Sequence, residues 1–204
     1  MYLPRFYVPD SLCLEQKTYC LPKNCAHHAL RVLRLELNHQ VLLFNGMGGE
    51  FLAQITQTQP HVEVTLLKFI DICTESPLHT ILIQGLCQTD KMDWIVQKAV
   101  ELGITEIYPV ACERSVTKLD DKKAQKRFEH WQNIIIAASE QSRRTKVTIL
   151  HPVIRFSQLV THFTKIIPTY SHFFCDPDGQ KSLQSFTFEP DQILHPSLYG
   201  SDQR

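Results

Sequence analysis

The hydrophobic period of this chain changes once, around Cys73-Thr74-Glu75-Ser76-Pro77, and that change sets what each side can fold into. Before it, apolar residues alternate. In EFLAQITQT, Phe51, Ala53 and Ile55 share one face of a strand, and HVEVTLLKF repeats the pattern. VLLFNG is an apolar run ended by Asn45-Gly46, a dipeptide suited to a tight turn. Asn24 is positioned to cap one short helix holding Ala29, Leu30, Val32 and Leu33. Several short strands at this spacing predict a small β-barrel over residues 1–72.

After the change the pattern becomes strand, helix, strand, helix. TILIQGL is a β-rich run. Asp90 to Leu102 is a helix with Met92, Ile95, Val96, Ala99 and Leu102 on one stripe, and Gly103 stands at its C-terminal stop. ITEIYPVA is the next strand, and Asp120 to Gln141 is a long helix burying Phe128, Trp131, Ile135 and Ala138. SHFFCDP reads as a further strand. Such alternation predicts right-handed crossovers and a parallel sheet over residues 77–204. In the last stretch Ile193-Leu194 begins a strand that His195-Pro196 is expected to interrupt, because proline cannot donate to a central ladder.

The 204 residues are long enough for one large domain or two small ones, and 43% hydrophobic with 21% charged residues is ordinary globular composition. The formal net charge is zero, so any affinity for nucleic acid must come from local patches. Seven scattered cysteines without a Cys-x-x-Cys read as free thiols in a reducing compartment. The opening MYLPRFYVPD lacks the apolar run of a signal peptide, and no stretch approaches the ~20 residues of a membrane span. A cytoplasmic protein is the expectation.

One patch runs from Arg114 to Lys146, with nine cations and four acids, a local excess of five. It reads as a phosphate-binding footprint in which Lys122 and Lys126 take part, or as a solvated helix face with i,i+4 pairs. A second lies in PRFY and HHALRVLR. There Arg5 neighbours Phe6 and Tyr7, and Arg31 and Arg34 share a helical face close to His27 and His28. Cations interleaved with aromatic rings suit single-stranded RNA. Adjacent histidines point in different directions on a helix and make poor joint ligands, so no metal is expected. Gly46-Met47-Gly48-Gly49 precedes a strand rather than a helix and is a turn, not a phosphate loop. Glu140 and Arg144 form an i,i+4 salt bridge when read by spacing alone.

Six blocks, LPRFYV, AHHALRVLR, LFNGMGGEF, QKAVELGITEIYPV, ERSVTKL and EQSRR, occur in an order that resembles the 16S ribosomal RNA uracil-N3 methyltransferases, the RsmE family. The resemblance runs from Tyr2 to about Leu194. It implies a PUA-like RNA-binding barrel followed by a SPOUT α/β methyltransferase domain with a C-terminal trefoil knot, working as a homodimer. The implied reaction transfers methyl from S-adenosylmethionine to N3 of a uridine in the small ribosomal subunit. Arg114, Gln141 and Arg144 become candidates for the base and phosphate site. Arg5, His27, Arg31 and Arg34 become candidates for gripping RNA, with Lys122 and Lys126 beside them. Gln88 stands where the family usually has lysine, and Arg143 where it often has glycine.

The family's Ile-Gly-Pro-Glu-Gly-Gly loop and the segment after it, which build the knot and cradle the cofactor, have no counterpart here, so no cofactor-binding residue is assigned. Gly200-Ser201-Asp202-Gln203-Arg204 can be encoded by bases that read Ile-Gly-Pro-Glu-Gly in another frame. A frame change near His195–Ser197 is therefore expected, leaving the knot incomplete. Weak or absent cofactor binding is expected with it, the alternative role being RNA binding without catalysis.

Overall fold

The computed structural model describes residues 3–112, 121–163, 170–174 and 193–197. They form two compact units, one of Met1–Glu75 with Ser139–Val147, the other of Ser76–Ala138 with Thr148–Arg204.

In the first unit the strands are β1 (Arg5–Tyr7), β2 (Thr18–Cys20), β3 (Gln40–Phe44), β4 (Glu50–Gln57) and β5 (Glu63–Ile70). They form one half-barrel in the order β1-β3-β4-β5-β2, parallel only between β1 and β3. The alternation expected of EFLAQITQT is present: Phe51, Ala53 and Ile55 are buried while Leu52, Gln54 and Thr56 are not. Two register shifts in the β4–β5 ladder, at Leu52/Ala53 and Ile55/Gln57, supply the local bending a curved sheet needs. Phe6, Val8, Leu43, Val64 and Ala29 complete its core. Gly49 makes the turn into β4 at φ +64°, and a Cβ there would lie 2.2 Å from the Phe69 ring. Only glycine fits both demands.

Helix α1 (Lys23–His27) starts two residues earlier than an Asn24 cap would allow. Its N-cap is Pro22, with no side-chain capping bond, so the Asn24 expectation is corrected. Proline at the entry has no N–H to leave orphaned, which removes part of the need for a polar cap. From His28 to Val32 the backbone widens to i→i+5 spacing, with Leu33 N donating to His28 O at 3.0 Å.

The second unit holds β6 (Ile81–Gly85), α2 (Thr89–Glu101), β7 (Glu106–Ala111), most of α3 (Asp121–Gln141), β8 (Ile149–Leu150), β9 (Ile154–Arg155), α4 (Phe156–Phe163), β10 (Tyr170–Phe174) and β11 (Ile193–Ser197). β6, β8 and β9 all pair parallel to β7, as the strand–helix alternation predicts. Ile81, Ile83, Tyr108 and Val110 pack against Leu159 and Phe163 of α4. Trp131 of α3 is 1% exposed, and its indole N–H donates to Asp93 Oδ1 at 3.1 Å, so burial leaves no polar atom unpaired.

Three readings are corrected. Leu102 is 83% exposed, not on the buried stripe, because α2 has already reached its C-cap there and Gly103 turns the chain at φ +91°. Val100 is buried in its place. Phe128 is only partly buried. His195-Pro196 does not break the strand: β11 pairs parallel with β10 from Ile193↔Tyr170 to Ser197↔Phe174. A parallel strand donates to one neighbour through every second residue, so proline is tolerated at a position that owes that neighbour no hydrogen bond.

Candidate functional site

The segment Ser139–Val147 carries Gln141, Arg143 and Arg144 and belongs to the first unit. Arg5 holds it. Its Nε donates to Glu50 Oε2 at 2.8 Å, Nη1 to Ser139 O at 3.0 Å and Nη2 to Arg144 O at 2.5 Å. The guanidinium also sits 3.6 Å over the Phe44 ring. Burial pulls the Arg5 pKa down, with the Glu50 hydrogen bond opposing it, and Arg5 stays cationic because a guanidinium starts so high. Only 6% of Arg5 reaches solvent. The side chain expected to grip RNA is spent inside the unit.

Glu75 ties the other end of the segment. Its Oε2 accepts from Arg144 Nη2 at 2.7 Å and Nε at 3.0 Å, and its Oε1 accepts from the N–H groups of Thr145 and Lys146, both at 2.9 Å. Burial pushes its carboxyl up, but the Arg144 hydrogen bond and the two backbone donors outweigh this and hold it below the ordinary range. An antiparallel bridge, Met47↔Lys146, and a bond from Gly48 N to Thr145 O at 3.2 Å complete the attachment.

The i,i+4 pairing of Glu140 with Arg144 is therefore corrected: Arg144 pairs with Glu75. α3 ends at Gln141, and Arg143 adopts φ +62°, so helical spacing does not extend to Arg144. Glu140 instead accepts the N–H of Tyr7 through Oε1 at 2.7 Å. Burial raises its pKa, only partly offset by the Tyr7 N–H and by the charges of His28 and Arg5. The hydroxyls of Ser139 and Thr145 are buried and find no partner among the described residues.

The predicted site residues are thus distributed unevenly. Gln141 and Arg143 are exposed on the segment and Arg144 is buried in it. Arg114 lies outside the described residues. His27, Arg31 and Arg34 are exposed on and after α1, and Arg34 adopts φ +53°. Lys122 and Lys126 are exposed on α3. Sequence reasoning missed Glu50 and Glu75. No spacing rule announces either one, since Glu75 falls in the linker and its partner is 69 residues away.

Arg31 also borders an open groove of about 500 Å³ in the first unit, walled by Leu30, Leu35, Leu37, Glu36, Thr58 and Gln59.

In the second unit Glu106 accepts from both His79 Nε2 and His151 Nε2 at 2.7 Å, and His151 stacks on Tyr108 with ring centroids 3.7 Å apart. Burial pushes the Glu106 carboxyl up, but the His151 and His79 hydrogen bonds hold it below the usual value. Arg127 donates to Thr89 Oγ1 at 3.1 Å, while its buried Nη1 has no partner among the described residues. Among the described residues no cluster has the makings of a metal site, and no helix is long and apolar enough to cross a membrane.

A model of the RNA methyltransferase domain matches residues 74–195, and one of the RNA methyltransferase PUA domain matches residues 21–67. The chain is 32% identical over 160 residues to ribosomal RNA small subunit methyltransferase E of Bacillus subtilis, covering 76% of this chain and 62% of that protein. It is 31% identical to the enzyme of the same name from Buchnera aphidicola, covering 71% of this chain and 59% of the relative. These alignments span about three fifths of the curated relatives' length. Among solved structures, the Neisseria gonorrhoeae methyltransferase E bound to S-adenosyl methionine superposes with a TM-score of 0.86 at 34% identity, covering 97% of this chain and 80% of that one. A Legionella pneumophila methyltransferase with bound SAM gives 0.86 at 27% identity, covering 99% and 81%. With a PUA-like half-barrel leading into a parallel α/β unit that carries the domain match, the chain belongs to the RsmE-type RNA methyltransferases of the SPOUT class.

Proposed function

We propose that this protein transfers a methyl group from S-adenosylmethionine to N3 of a uridine in 16S ribosomal RNA, acting on the small ribosomal subunit in the cytoplasm as a homodimer. The observation that carries this reading is the RNA methyltransferase match over residues 74–195, which takes in most of the parallel α/β unit together with Ser139–Val147.

The chemistry asks for three things. The uracil imide must lose its proton, the base must leave its stack, and the sulfonium methyl must lie in line with N3. S-adenosylmethionine, when bound, supplies the electrophilic methyl. Crevices at the carboxyl ends of parallel strands are where α/β folds take ligands. Here those ends of β6 and β7 are held side by side by Leu86 N donating to Val110 O at 2.8 Å. We assign Arg114 and Gln141 to the uracil carbonyl oxygens, where donors stabilise charge that develops as the imide ionises. Arg144, committed to Glu75, acts as a positioning residue for Gln141, and Lys122 and Lys126 meet the phosphate backbone.

The test is methyl transfer from labelled S-adenosylmethionine to small-subunit particles lacking the modification, with the product mapped by mass. Label on N3 of one 16S uridine supports the assignment, and Gln141→Ala lowers kcat by about tenfold or more with the fold intact. Salt-dependent RNA binding without transfer, and without cofactor binding in calorimetry, supports the non-catalytic RNA-binding role instead.

A further inference from the structure

The groove that Arg31 borders in the first unit is the feature that the methyl-transfer chemistry leaves unused. Its walls are apolar at Leu30, Leu35 and Leu37, of which Leu37 is well exposed. Its polar rim consists of Arg31, Glu36 and Gln59. Among the described residues none of these three has a side-chain partner, and Glu36 is engaged only through its backbone, its N–H donating to His39 Nδ1 at 2.7 Å and its carbonyl accepting from His39 N at 3.2 Å. Arg31 and Glu36 line the same groove without forming an ion pair. A cation, a carboxylate and an amide left unspent around an apolar wall are the donor set of a ligand site, and about 500 Å³ falls within the usual range of such sites.

We propose that this groove binds one unpaired nucleotide of RNA, with guanine preferred. The inference rests on the RNA reading above. The phosphate belongs at Arg31, with Arg34 three residues on and His27 and His28 before it, all exposed. Glu36 excludes a phosphate from its own end, so the base lies there, its face against the leucines. Guanine offers N1–H and the N2 amino group as two adjacent donors, and a single carboxylate accepts both. Adenine and uracil each present one donor group on that edge, and a carboxylate discriminates against them by leaving an acceptor unpaired. Gln59 is free to contact the remaining edge.

The test uses fluorescence anisotropy with the whole chain and two labelled hexanucleotides of uridine, one with a central guanosine and one with a central adenosine. The guanosine probe binds about tenfold tighter. Glu36→Ala abolishes that preference. Arg31→Ala weakens both probes alike and lowers the salt slope by about one. Thr58→Trp, a groove residue outside the strands, fills the groove and blocks both. All three positions lie away from the core, and a thermal melt verifies the fold of each variant. RNA binding that ignores Thr58→Trp, or a base preference that survives Glu36→Ala, overturns the groove assignment alone. Absence of binding by the wild-type chain overturns the RNA reading with it. A groove filled by a second copy would show as concentration-dependent sedimentation abolished by Thr58→Trp, and that also overturns the proposal.

Discussion

Glu75 and Arg144, 69 residues apart in the chain, form a buried ion pair at 2.7 Å in which the same carboxylate also receives two backbone N–H groups. The carboxylate thus fixes the path of the segment as well as balancing a charge. Glu75→Ala removes the carboxylate partner of a buried guanidinium and of two amides together, at about 3–5 kcal/mol. Arg144→Met leaves the carboxylate its backbone donors and costs less. Urea denaturation of the two variants gives the order; equal losses would contradict it.

Glu140 behaves in the opposite sense. Its pKa is raised in the folded state, so folding favours the proton, and the penalty for ionising it is fully present above the folded pKa. Glu140→Gln keeps an acceptor for Tyr7 N–H and removes the penalty. Its Tm at neutral pH equals or exceeds that of the parent. Below about pH 4, where the carboxyl is protonated folded or unfolded, the advantage is gone.

Glu75 and Glu106 are both depressed, so each contributes stability above the ordinary carboxyl pKa of about 4.3 that disappears as pH falls through its lower folded value. Acid unfolding monitored by circular dichroism is expected to begin below about pH 5. Replacing His151 with alanine removes one Glu106 donor and the Tyr108 stack, and moves the acid transition to higher pH.

Two neighbouring glycines separate conformational cost from steric cost. Gly48 adopts φ +101° and has nothing within 4 Å of where a Cβ would lie, whereas Gly49 adopts φ +64° against the Phe69 ring. Gly48→Ala therefore costs about 1 kcal/mol, and Gly49→Ala more than about 2 kcal/mol, since its ring must move. Chemical denaturation distinguishes them.

On α3, Lys122 and Lys126 are exposed one turn apart. The double change to glutamate lowers RNA affinity at low salt by about tenfold or more and flattens the salt slope by about two, with no loss of thermal stability.

Much of the fold was legible because it is local. The alternation of Phe51, Ala53 and Ile55 and the spacing of Trp131, Ile135 and Ala138 report burial directly. What escaped was partner choice. Spacing offers Arg144 a neighbour at Glu140, and only the left-handed Arg143 and a distant linker carboxylate redirect it. Arg5 reads as a surface cation beside aromatic residues until Glu50 and two carbonyl oxygens take its donors. A cap at Asn24 is plausible by residue type, but the proline before it starts the helix first.

The return of Ser139–Val147 to the first unit has a consequence for how the chain is made. On the ribosome the half-barrel strands emerge early and Arg5 can already meet Glu50, yet its bonds to Ser139 O and Arg144 O, and those of Glu75 to Arg144, Thr145 and Lys146, wait until that segment has been translated. At about 5–20 residues per second that wait lasts several seconds, roughly the time to synthesise the intervening stretch. During it Glu75 lacks Arg144 and its two backbone donors, and Arg5 lacks two of its three acceptors. The half that is written first is the half that is finished late, and a fragment ending at Glu75 is expected to behave as an unfinished protein rather than as a small domain.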